Sequence, residues 1–110
     1  MQIAFLKKEF RDLCVNERMA ISKYGLEFAS KLLVRIADLQ AASTANDIFF
    51  LPGINSPSID GDPDMISIEL LGSQYLACMS GHPNSTKLDS GVPDWTKVRR
   101  IKIIGIREAS

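Results

Sequence analysis

A chain of 110 residues with 45% hydrophobic side chains, 24% charged ones and a formal net charge of zero fits one folded domain that needs no disulfide or metal to hold its core. Neutrality argues against a strongly basic nucleic-acid domain, and two cysteines with a single histidine are too few for a disulfide framework or a standard zinc site. No apolar run approaches the roughly 20 residues that span a bilayer, and the short apolar opening precedes Lys7 and Lys8, the reverse of a signal peptide; a cytoplasmic protein with no membrane, metal or cofactor requirement is expected.

Residues 1–6 form a short apolar run that could open a sheet. Leu6, Phe10, Leu13 and Cys14 then share a face at helical spacing. Asn16 is a suitable N-cap for one long amphipathic helix over residues 17–42, where Ala20, Tyr24, Phe28, Leu32, Ile36 and Leu39 recur almost every four positions. Gly25 interrupts that helix at a cost of about 1 kcal/mol relative to Ala, so a kink or a close contact is expected there. Cap and turn formers follow at Ser43, Thr44, Asn46 and Asp47, and Pro52-Gly53 ends an apolar patch.

The period then changes from helix to strand. Residues 54–59 could be an edge strand, since Pro57 lacks a ladder donor. Residues 65–71 alternate with Ile66, Ile68 and Leu70 on one face, and Gly72-Ser73 turns them into a second strand over 74–80. Residues 81–93, rich in Gly, Pro, Asn and Ser, read as a mobile loop. The chain closes on a basic strand that holds Val98, four isoleucines and five of the thirteen basic residues. The expected fold is α+β, with two N-terminal helices on one face of a small, mainly antiparallel sheet in a single domain over residues 1–110.

Charge is unevenly placed. Residues 60–94 carry one basic against six acidic side chains, and 95–110 carry five against one, so a basic patch beside an acidic one is expected. In an alternating strand Arg100 and Lys102 share one face while Arg99, Ile101 and Ile103 share the other. The cluster is either an RNA contact or the solvated face of an edge strand guarded by charge. His82, beside Pro83, reads as an exposed loop residue. Asp60, Asp62 and Asp64 alternate like the start of a calcium loop, but Pro63 and the missing downstream Glu make a polar turn the better reading. Cys14 and Cys78 read as buried free thiols, and Trp95 as a core anchor against the long helix.

Lys23-Tyr24-Gly25, Leu39-Gln40-Ala41-Ala42, Leu51-Pro52-Gly53, Gly61-Asp62, Gln74-Tyr75 and Asp94-Trp95-Thr96-Lys97-Val98 occur in an order that resembles HigB-like killer proteins of the RelE/ParE superfamily, over nearly the whole chain. The resemblance implies a RelE-like toxin of a type II toxin-antitoxin module, a ribosome-dependent mRNA endonuclease acting on mRNA in the ribosome and neutralised by a helix-turn-helix, HigA-like antitoxin. Cleavage of that kind needs a base for the attacking ribose 2′-OH, cations for the phosphorane and an acid for the leaving oxygen, and requires no metal.

Residue-by-residue transfer of that site fails at several places. The Arg that follows the hairpin Tyr in typical relatives is Leu76 here, and the terminal His is Ser110. The Lys or Thr before the Gly-Asp turn is Asp60, and the His three places earlier is Pro57. Arg99, Arg100, Lys102 and Arg107 remain as RNA-binding candidates; His82 is the replacement available for acid/base work, while Glu108 stands where the family has Asp but has no evident catalytic role without a His partner; the catalytic residues stay unknown. The implied activity is therefore weak or absent. The other reading is a non-catalytic antitoxin-binding module of the same fold, acting in autoregulation or antitoxin sequestration.

Overall fold

A computed structural model of the chain describes residues 1–52, 54–55, 61–82 and 87–109. Along them run β1 (Gln2–Phe5), α1 (Lys8–Val15), α2 (Glu17–Tyr24), α3 (Leu26–Ala41), α4 (Ala45–Ile48), β2 (Ile54–Asn55), β3 (Met65–Glu69), β4 (Gln74–Ser80), a single 3-10 turn (Trp95–Lys97) and β5 (Arg100–Glu108). The five strands form one sheet in the order β1-β5-β4-β3-β2. β1 runs parallel to β5, and every other neighbouring pair is antiparallel. The architecture is α+β with a mixed sheet.

The α-helices differ from expectation in number. The apolar stripe from Ala20 to Leu39 is buried as its spacing predicts, except for the half-buried Tyr24, but Gly25 ends one helix and starts the next instead of bending a single one. Its backbone sits at φ 87, ψ 161, a region open essentially to Gly alone. The Asn16 side chain accepts the Met19 N–H at 3.1 Å and so caps α2. Thr44 and Asp47 form a reciprocal capping box that turns the expected break after α3 into the short helix α4. Leu6 is not on the α1 stripe, because that helix begins at Lys8; its side chain is 54% exposed.

One core joins the α-helices to the inner sheet face. Phe28, Leu32, Ile36 and Leu39 from α3 meet Ile66 and Ile68 from β3, Leu76 and Cys78 from β4, and Ile101 and Ile103 from β5. Strict alternation in β3 and β4 supplies those inward residues. The closing strand is interior rather than an edge, with β1 on one side and β4 on the other. Between β1 and β4 the charges of Arg100 and Lys102 cannot serve to guard an edge. At the end of α3 the Met1 ammonium donates to the Gln40 and Ala42 carbonyls at 2.9 and 2.6 Å, where carbonyls lack helical donors and the dipole favours a cation. The described part of 81–93 contains a hydrogen-bonded turn: Leu88 N–H bonds to the Val92 carbonyl at 2.8 Å, and Lys87 bridges Pro93.

Both thiols are buried. Burial pushes Cys14 up to about 12 and raises Cys78 further above its ordinary 9.0. Unfolded thiols ionise above about pH 8.5 while the folded ones stay protonated. The unfolded chain then binds fewer protons, so stability falls as pH rises from about 9 towards 12. Urea midpoints of the wild type and a double Cys→Ala variant will diverge from one pH dependence only in that alkaline window. A Cβ at Gly25 would meet nothing within 4 Å, so Gly25→Ala isolates the backbone cost. It should lower stability by about 1–3 kcal/mol in urea unfolding.

Candidate functional site

The sheet face away from the α-helices is built by β5 and its neighbours. Arg100 and Lys102 stand on this face opposite Gln2 and Ala4 of β1, and Lys102 lies opposite Met79 of β4. Continued alternation would send Arg107 to the inner face. The β4–β5 register instead slips between Ala77 and Cys78, which oppose Gly105 and Ile103 and leave Ile104 as an extra residue. This bulge restores Ile106 to the core and places Arg107 beside Tyr75 on the outer face. Gly105 holds φ 149 at the irregularity.

The outer face divides into two parts. Met65, Tyr75 and Ala77 form a small buried cluster with Met79, Ile104 and Ala109 packed around it, and Ser67 is buried beside them. Tyr75 is only 1% exposed, so its ring offers no stacking surface. The accessible part is the strip along β1 and β5, with Arg100 and Arg107 exposed and Lys102 half-buried. Arg100 donates from Nε and Nη2 to the Gln2 Oε1 at 3.2 and 2.9 Å. A neutral amide orients the guanidinium without cancelling its charge. Among the described residues Lys102 makes no ion pair, and its cross-strand neighbours Ala4 and Met79 are uncharged.

Arg99 falls outside the strip. It precedes β5 with the parity of Ile101, and its N–H donates to His82 Nε2 at 3.0 Å. That bond requires the imidazole to carry its proton on Nδ1 and ties the end of β4 to the start of β5. His82 is thus a strand-linking residue, partly buried rather than fully exposed. Glu108 accepts the Ser73 hydroxyl at 3.2 Å across the hairpin end. Asp62 accepts the Asp64 N–H at 2.9 Å, as a polar turn requires, while Asp64 pairs with Lys87 at 3.7 Å. Trp95 is buried edge-to-face on Phe49 at 6.0 Å, so its anchor is the end of α4. Asp94 caps the turn through Thr96 N–H at 3.2 Å.

Leu76, equated with the family's Arg, is fully buried in the helix-side core. No side chain at that position would reach the cationic strip. Pro57, Asp60 and Ser110 lie outside the described residues. Sequence reasoning missed Gln2 and the bulge that brings Arg107 onto the same face as Arg100 and Lys102. The signal was present in the spacing: isoleucines at 101, 103, 104 and 106 around Gly105 cannot all obey period two, and a Gly inside a strand marks a bulge.

No family model matches the chain, and comparison with curated proteins and with solved structures likewise returns no match. The strip's geometry can be tested at Gly81, where a Cβ would stand 2.6 Å from Arg100 Cγ and 2.9 Å from its Cδ. Gly81→Ala should displace Arg100 from Gln2 and cost about 1–3 kcal/mol, read as a moved Arg100 Nε resonance and a lower urea midpoint.

Proposed function

We propose that this chain is a toxin-family protein of the RelE/HigB type whose β1–β5 strip holds RNA phosphates and which cuts mRNA weakly or not at all. The observation that carries the proposal is the composition of the strip. Three cations sit on one face, and among the described residues the intervening positions are Gln2, Ala4, Met79 and Ile104, none of which titrates near neutrality. Cations in fixed places can stabilise a phosphorane. They cannot move the proton from the 2′-OH or return one to the leaving oxygen.

Among the described residues, the two groups considered for acid/base work are engaged elsewhere. His82 accepts the Arg99 N–H, and Glu108 accepts the Ser73 hydroxyl at the far end of the hairpin. Binding without turnover is what remains, with an antitoxin as the protein partner and ribosome-bound mRNA as the nucleic-acid one. The same lack of a proton-moving group on the strip, among the described residues, favours the alternative, an antitoxin-binding module that acts in autoregulation or sequestration.

Expression of the chain alone should leave growth unaffected and produce no cuts in translating mRNA. Growth arrest accompanied by cuts at the ribosomal A site would refute the inactivity. Single-stranded RNA should bind with a salt slope near −2, from about 0.7 per phosphate contact over three contacts. Changing Arg100, Lys102 and Arg107 together to Gln should remove most of that slope. An unchanged slope would take the RNA off this strip. Co-purification with a small helix-turn-helix protein, without a growth defect, would select the binding module.

A further inference from the structure

β5 is longer than the strand beside it. Its pairing with β1 ends at Phe5 opposite Ile103, with a last bond from Leu6 N–H to the Ile103 carbonyl at 2.9 Å. Against β4 it continues to Glu108. The Ala109 N–H bonds to the Ser73 carbonyl at 2.8 Å on the β4 side. The N–H and C=O of one residue point the same way and alternate along a strand, so Ile106 and Glu108 turn theirs to the opposite side. Among the described residues no strand lies there.

A groove of about 430 Å³ takes that place, with Leu6, Phe10, Tyr24 and Ile106 as its apolar walls and Lys7 and Arg107 at its rim. Outside that lining, Lys23 holds its Nζ 5.7 Å from the centre of the Tyr24 ring. The two sides of the groove differ. Ile106, Phe10 and Tyr24 pack towards the helix-side core, while Arg107 stands on the outer face beside Tyr75.

We propose that this overhang accepts an extended segment of another protein as an added strand, alternating apolar residues towards Phe10 and Tyr24 with acidic residues towards the cations. Main-chain bonds to Ile106 and Glu108 would supply affinity, and the alternate side chains specificity. Charge complementarity fixes the occupant: a second copy paired edge to edge about a two-fold axis would bring Arg107 and Lys7 of both copies together, and like charges face to face are unfavourable. The proposal rests on the edge geometry and stands whether or not the chain cuts RNA.

The test uses the full chain, isotopically labelled, titrated with a capped Glu-Val-Glu-Val-Glu-Val-Glu peptide. Saturable shifts and slowed exchange are expected at the Ile106 and Glu108 amides. Glu108→Pro removes a donor on the open side and leaves the β4 ladder intact; it should weaken binding about tenfold. Lys7→Glu should weaken it similarly and alters no strand. The absence of saturable shifts at millimolar peptide, equal binding by a Lys-Val peptide, or indifference to both substitutions would overturn the proposal. Shifts at these amides caused by an RNA oligonucleotide instead, or by protein concentration alone, would assign the edge to RNA or to a second copy.

Discussion

The sheet is built around the two-sided pairing of β5. Ile101 and Ile103 have no exposed surface and close the core from below, each worth about 1.5–3 kcal/mol in burial. Their neighbours Arg100 and Lys102 must therefore face the other way, because a one-residue slip would exchange charged and apolar faces. The helix side holds this register through the Ala45 N–H bond to the Val98 carbonyl at 2.8 Å and through Trp95 packed on Phe49. The placement of cations on the outer face is thus a consequence of core packing on the inner one.

The bulge at Ile104 solves a conflict that this register creates. A regular strand from Arg100 to Glu108 would leave Ile106 outside and bury Arg107 under the α-helices, at a desolvation cost far above the gain from one apolar side chain. One extra residue reverses the parity, and Ile106 joins the core while Arg107 joins the other cations. Gly105 accommodates the reversal in a conformation that L side chains rarely adopt. The place of Arg107 on the strip and that of Ile106 against the core are therefore set by the same two residues.

Much of this was legible from residue spacing. The inward sets Ile66, Ile68, Leu70 and Phe28, Leu32, Ile36, Leu39 follow directly from periods of two and nearly four, and the buried thiols and the Asn16 cap follow from residue type. The helix break at Gly25 was marked but its form was not, since a propensity cost of about 1 kcal/mol does not distinguish a kink from a φ 87 hinge. The interior place of β5 was hidden because charge and β-propensity say nothing of which strand lies alongside. Pairing with residues 2–5 is a contact across almost the whole chain, and local pattern cannot encode it. Likewise Leu76 could be aligned by its neighbours Gln74 and Tyr75, yet only the register decides that it points inward.

Two surfaces meet at one residue on this strand. Arg107 belongs to the outer strip by the parity of the bulge and to the rim of the open edge by its position beyond β1. A carboxylate from the proposed strand seated in the groove would lie beside it and offset the potential by which the strip would hold phosphate under the proposed function. Such a contact would make the two proposed bindings antagonistic, and linkage requires the antagonism to be reciprocal: phosphate held at Arg107 would weaken the acidic strand by the same factor. Arg100 and Lys102 lie beside β1, away from that edge, so the coupling enters through the end of β5 and leaves the other two cations in place.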